Sequence, residues 1–421
     1  MDNPLVLENI KKYKLDNGLF VVVIPKKNIP IITLQISFKV GSKNESPNRT
    51  GMAHLFEHLM FEGTKNIGKG EFDRFCSLAG GTNNAYTTND YTSYYMTLPS
   101  NQLELGLWLE SDRMKNFHVT KEALENQKKV VIEEIKQTVD EQPYGKWHEN
   151  LSTAAFAKDY CYSWEVYGTK EHVEKVSLEE AEEFHKRFYS PDNACLVISG
   201  NVGKNVLEMV NKNFGIIKSY NNHTGDKIFK NSVIKGGKRL ILRDNVPLPA
   251  VFLAFHCNGF IQEQIFTAEI LANILGSGKS SRIYESLIQK KQSASQAGAW
   301  LDQKENNSFL ICYAFASNPS ITCNMLYDDI INETEKIKSD ILSGKELRKV
   351  KNRIISQLYA EMQFSQGISD IAAFQALFWA EPERLNELAV YYEKTELKDI
   401  QNLCKNILNY ENSVRIDVIP K

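Results

Sequence analysis

The chain has 421 residues, 42% hydrophobic and 24% charged, with 50 basic against 52 acidic side chains. This is globular composition with apolar material for more than one core, and at about 100–200 residues per domain it implies two or more domains. A formal charge of -2 and a mean hydropathy of -0.36, without an apolar run approaching about 18 residues, give no reason to expect a nucleic-acid partner or a membrane span. The opening Met1-Asp2-Asn3-Pro4 lacks the basic-then-apolar layout of a signal peptide. The expectation is a soluble protein, with bacterial cytoplasm and periplasm both open. Seven dispersed cysteines with no CxxC pair argue against a disulfide framework or a cysteine zinc site, and most of them read as small buried hydrophobes.

In chain order, Asn17-Gly18 between two apolar runs predicts a hairpin over 13–24. A strand over 31–40 follows, then helices over 51–61 and 69–78, a strand over 92–98, helices over 101–116, 121–140 and 178–188, and a strand over 194–200. Strands grouped with helices, without regular βαβ alternation, make the fold class α+β. Periodicity then lapses over 219–237, a polar stretch closing on Gly236-Gly237, which reads as a linker between domains 1–218 and 238–421. Beyond it the order of elements returns in weakened form. Strands over 239–243 and 250–256 lead to helices over 264–275, 280–290 and 345–362, so the second half reads as a degenerate repeat of the first.

The segment that carries chemistry is His54-Leu55-Phe56-Glu57-His58. At about 100° per residue on a helix, the two imidazoles and the carboxylate fall within one arc of about 100°. Two histidines one turn apart share one cation, and a carboxylate beside them reaches a water molecule. This is the inverted zincin pattern HxxEH, with a chance probability of about 0.01 in a chain of this composition. Catalytic zinc usually takes three protein ligands, so a third is expected downstream. The helix carrying Val131, Glu133 and Glu134 offers two adjacent carboxylates about 100° apart. Glu134, three residues after Val131 and seven after Gln127, is favoured for the inner face, and geometry leaves Glu133 open.

The run from Gly51 to Thr64, with its HxxEH core, resembles the zinc-site signature of the pitrilysin/mitochondrial-processing-peptidase (M16) family of metallopeptidases. The stretches Gly80-Gly81-Thr82-Asn83-Asn84-Ala85-Tyr86-Thr87-Thr88-Asn89-Asp90-Tyr91-Thr92 and Tyr189-Ser190-Pro191-Asp192-Asn193-Ala194 are similar to that family as well. The resemblance implies a zinc endopeptidase holding one Zn²⁺ per chain through His54, His58 and, about 76 positions on, Glu134. It implies Glu57 as general base and Asn84, Ala85 and Tyr86 as an edge strand that receives extended substrate. It further implies two homologous α+β halves, each a sheet of mostly antiparallel strands under helices, forming one side of a clam-like chamber.

Two departures matter. Gln127 stands where many relatives carry a Glu near the metal. Ile288 and Ser295 stand where active single-gene relatives show an Arg and a Tyr that grip substrate and the oxyanion. An oxyanion donor is worth about 3 kcal/mol, so the expected repair is a homologous partner subunit supplying that pair, a heterodimer, with a homodimer as the other arrangement. The positions in the second half that align with His54, Glu57 and His58 are Glu269, Ala272 and Asn273, so no second metal is expected there.

Overall fold

The computed structural model describes residues 7–220, 233–339 and 342–421, and the expected linker 219–237 falls mostly outside them. The fold is α+β, as expected. Its strands are β1 Lys11–Lys14, β2 Phe20–Pro25, β3 Ile31–Phe38, β4 Thr82–Thr87, β5 Thr92–Pro99 and β6 Ala194–Gly200, then β7 Lys238–Asp244, β8 Ala250–Asn258, β9 Ala294–Asp302, β10 Asn307–Ala316 and β11 Ser413–Pro420. They build a six-stranded sheet in the order β1-β2-β6-β3-β5-β4 and a five-stranded sheet in the order β7-β11-β8-β10-β9. Without β1 the two orders coincide place for place. In each sheet one neighbouring pair is parallel, β2 with β6 and β7 with β11, and the other pairs are antiparallel. The duplication, faint in the letters, is explicit in the topology.

Contacts divide the chain into two compact units, each discontinuous in sequence. Unit one comprises Met1–Ile135, Trp164–Phe229 and Tyr359–Glu387; unit two comprises Lys136–Ser163, Lys230–Leu358 and Leu388–Lys421. Each therefore includes one helix from the other half of the chain. Helix Ser365–Trp379 packs on β3 and β6 in unit one, and helix Trp147–Ala155 packs on β11 and β7 in unit two. Helices on both faces explain why β6 is buried along its whole length.

The Asn17-Gly18 turn closes the predicted hairpin, with Lys14 opposite Phe20 and Gly18 at φ 89°. Helix α1 spans Met52–Leu59, α2 Glu71–Leu78, α3 Leu103–Lys115 and α4 Lys121–Ile135. The helix expected over 121–140 stops being α-helical at Ile135, and 136–140 form a wider π-type turn. The difference falls where the chain leaves unit one. A similar π-type segment, Tyr284–Lys290, replaces the helix expected over 280–290. All seven cysteines are buried and unpaired.

Unit one buries an ion pair on α3. Glu110 and Arg113 of α3 are both 2% exposed and pair at 2.5 Å, and the guanidinium lies 4.3 Å from the ring centre of Tyr94 and 4.5 Å from that of Phe72. Removing one partner strands the other charge away from water. Glu110→Ala is expected to lower unfolding free energy by about 3–5 kcal/mol, measured by urea denaturation.

Candidate active site

Helix α1 holds the motif, and its start is fixed from outside the helix. Gly51 caps it at φ 89°, and a β-carbon there would lie 2.5 Å from the Tyr167 carbonyl oxygen, so only glycine fits. The Gly51 and Ala53 amides donate to the two oxygens of buried Glu45 at 2.9 and 2.7 Å, filling the orphan donors of the first turn. Burial pushes the Glu45 carboxyl up to about 8 against those donors. A folded value above the unfolded 4.5 gives stability that is complete below 4.5 and lost as pH rises through about 8. The melting temperature of the native chain should therefore fall more between pH 6 and 9 than that of Glu45→Gln, by about 2 °C or more. Parallel curves in calorimetry would contradict this.

One turn apart on α1, the rings of His54 and His58 stand edge to face with centroids 4.9 Å apart. Helix α4 brings Glu134 to both. His54 Nε2 lies 3.8 Å from one Glu134 oxygen and His58 Nε2 lies 3.4 Å from the other. One ligand atom from each of the three fits within 4.8 Å of the others, and no further group of this kind occurs among the described residues. Ligands about 2.0–2.2 Å from a tetrahedral zinc are separated by about 3.3–3.6 Å, so the two-histidine, one-carboxylate donor set fits that ion, with its 3.4 and 3.8 Å separations close to that spacing. Burial and the neighbouring His58 lower the His54 pKa against the pull of Glu134, favouring the neutral ring that ligates cations. Glu133, the other carboxylate, is exposed.

Glu57 lies on the same helix, and burial raises its pKa above the ordinary carboxylate range, with Thr87 and His58 pulling the other way. The Thr87 hydroxyl donates to Glu57 Oε2 at 2.5 Å. Sequence reasoning passed over Thr87, although it directly follows Tyr86 in the quoted stretch; its role depends on β4 meeting α1, which spacing does not reveal.

Asn84, Ala85 and Tyr86 lie on β4, which pairs only with β5 and is the outer strand of the sheet. Asn84 is exposed, its side-chain oxygen accepting from the Ala85 amide at 2.8 Å. Tyr86, on the face of the sheet opposite Thr87, donates its hydroxyl to Asp370. Gln127 donates to Glu62 at 2.5 Å, tying α4 to the chain just after α1. In unit two, Asn273 accepts from Arg353 at 2.7 Å, Glu269 accepts from the Tyr392 hydroxyl at 2.6 Å, and Ala272 is buried. A guanidinium thus bridges the helices at the counterpart of the triad. Ile288 packs against the unit-two core, and the Ser295 hydroxyl donates to the Ala316 carbonyl at 3.1 Å.

Comparison with known proteins gives the family. Residues 21–164 match the model of the insulinase family, peptidase family M16, and residues 175–354 match that of the M16 inactive domain. The chain belongs to peptidase family M16. The zinc protease PqqE of Helicobacter pylori is 29% identical over 85% of this chain and 81% of its own length. The mitochondrial-processing peptidase subunit beta of Blastocladiella emersonii is 27% identical over 60% of this chain and 54% of its own. Among solved structures, a protease from Helicobacter pylori superposes with a TM-score of 0.92 at 26% identity, covering 98% of this chain and all of that one. A putative M16-like peptidase from Alicyclobacillus acidocaldarius shares the fold, with a TM-score of 0.82 at 19% identity over 98% of both chains.

Proposed function

We propose that this chain is a zinc-dependent endopeptidase acting on peptides or short unfolded segments, presequences among them, and that it works as a heterodimer with a homologous partner. The observation that carries the reading is the convergence of His54, His58 and Glu134 from two helices, with Glu57 beside them. These three residues would hold one zinc ion, which when bound supplies Lewis acidity toward the scissile carbonyl. Glu57 takes the proton of the attacking water and returns it to the leaving amine. The Thr87 hydroxyl holds Glu57 Oε2, leaving Oε1 for the proton. Burial favours the protonated form of Glu57, which helps it hold the proton between the two transfers. An extended peptide adds to the outer edge of β4 at Asn84-Ala85-Tyr86 through main-chain hydrogen bonds, which are indifferent to sequence.

A second reading has its own support. Ile288 offers no hydrogen-bond donor and the Ser295 hydroxyl is already used, so the expected Arg/Tyr pair has no substitute at those positions. The chain would then bind zinc but turn over nothing by itself, or serve as a scaffold in a larger complex. The family match to an inactive domain over 175–354 and a relative named as a subunit both suit a chain that needs a partner.

The deciding experiment follows unstructured peptides by mass spectrometry, with the chain alone and with a homologue that bears Arg and Tyr but no HxxEH. Cleavage should require the partner and fall by at least about 100-fold with a zinc chelator. Chelator-insensitive cleavage sinks the peptidase assignment, and full activity of the isolated chain sinks the heterodimer.

A further inference from the structure

Unit two carries a cavity of about 770 Å³ over its sheet, walled by Tyr144, Trp147, Phe252, Trp300, Tyr313 and Phe315. That volume is in the range of ligand sites. Trp147 stacks flat on Phe252 with ring centres 4.1 Å apart and meets Trp300 edge-on at 5.8 Å; Trp300 in turn packs on Tyr313 at 5.3 Å. No residue lining the cavity carries a formal charge.

The fold itself does not require these rings. Each unit pairs its strands in the same pattern, so the ladders can be compared position by position. Gln35 faces Tyr95 and Val197, and Phe252 faces Tyr313 and Ile416. Likewise Tyr86 faces Ser93 and Trp300 faces Ile311, each two residues before the tyrosine of its ladder. Phe252, Trp300 and Tyr313 line the cavity of unit two as Gln35, Tyr86 and Tyr95, on the corresponding strands, line one in unit one. In unit one that place is a smaller cavity of about 410 Å³ with a polar wall, where Gln35 donates to Asp370 at 2.9 Å and Tyr86 donates to the same carboxylate. In unit two it is larger and walled by aromatic rings without a charged residue, and Trp300 remains 37% exposed. Clustered aromatic surface left in water is costly and marks a binding site more often than a packing need.

The loop over 141–146 is shaped for this cavity. Tyr144 has φ 65°, a left-handed backbone that residues with a β-carbon seldom adopt. A β-carbon on Gly145 would lie 2.2 Å from the Val139 carbonyl oxygen. The Tyr144 hydroxyl is spent on the Leu248 carbonyl at 2.8 Å, which fixes its ring in the wall. By contrast the indole N–H groups of Trp147 and Trp300, the Tyr313 hydroxyl and the Gln296 amide have no hydrogen-bond partner among the described residues, and all four belong to lining residues. Rings without charge, together with unused neutral donors, suit an apolar side chain flanked by peptide carbonyls.

We propose that this cavity is an accessory site for a bulky apolar, preferably aromatic, side chain of a peptide segment. The inference rests on the peptide-substrate reading only for the source of that segment, and does not depend on catalysis. The test uses the Glu57→Gln chain and the capped peptide acetyl-Ala-Ala-Phe-Ala-Ala-amide, with versions in which Asp or Lys replaces Phe. Binding is followed by tryptophan fluorescence and calorimetry. The Phe peptide should saturate the signal, the Asp and Lys peptides should bind at least tenfold more weakly, and Trp300→Ala should weaken the Phe peptide at least tenfold while Trp300→Phe restores most of it. Unchanged affinity in Trp300→Ala, or equal binding of the three peptides, overturns the proposal. So does a change of oligomeric state in Trp300→Ala without peptide, which makes the cavity a subunit interface. Trp300-dependent binding by a chain whose native form cleaves nothing removes the peptidase reading and leaves the site. Cleavage without such binding does the reverse.

Discussion

Glutamine at position 57 should lower peptide hydrolysis by about 10²–10⁴-fold while leaving the chain with its full complement of zinc. The amide keeps the size of Glu57 and can still accept from the Thr87 hydroxyl, which the carboxylate does at 2.5 Å. It cannot take a proton from water, so only the proton transfers are lost. His54, His58 and Glu134 are unaltered, and metal content measured by atomic emission should match the native chain. This separation is what gives the test its force. Loss of metal together with activity would make Glu57 a structural or ligating group, and retained activity would place the base elsewhere. Proteolysis in cells expressing the native chain and the variant offers the same comparison with physiological substrates.

Much of this site was legible because helical geometry is short-ranged. His54, Glu57 and His58 are within one turn of one another, so a fixed angle per residue predicts their shared face without any tertiary information. Helix α4 could be placed by its apolar stripe, but whether Glu133 or Glu134 turns inward depends on how α4 meets α1. Their 100° separation left the choice open, and the structure turns Glu134 toward the imidazoles. Groups contributed by distant segments were out of reach. Glu45 caps α1 across a loop, Thr87 reaches Glu57 from a strand, and Asp370 reaches Tyr86 from a helix nearly three hundred residues later in the chain. In the fold, β11 was missed because Arg415 and Asp417 interrupt its apolar pattern. Both are buried, and they satisfy each other at 2.6 Å, a pairing that a hydropathy pattern counts as two solvent-facing charges. The helix Ser365–Trp379 was missed for a related reason. Its buried face includes Ser365, Ser369 and Gln375, and Ser369 bonds the Ser199 hydroxyl of β6 at 2.7 Å, so its packing face does not read as apolar.

The adjacent pair on α4 gives the second large effect. Glu134→Gln should weaken zinc binding by at least about 100-fold, beyond the 10- to 100-fold typical for residues that merely support a ligand, whereas Glu133→Gln should retain the metal. The amide removes the anionic oxygens that lie 3.8 and 3.4 Å from the two imidazole nitrogens, and two neutral histidines alone provide neither charge nor a third donor. Glu133 is exposed on the same helix, one residue away, so the Glu133 variant controls for any general effect on α4. The sharpest readout is zinc affinity by competition with a chromophoric chelator, which needs no substrate or partner and so remains informative for a chain silent by itself. If Glu133→Gln loses the metal and Glu134→Gln keeps it, the inner face of α4 has been misassigned. Equal retention by both would mean that two imidazoles and a ligand from another residue suffice, and the three-residue centre would have to be abandoned.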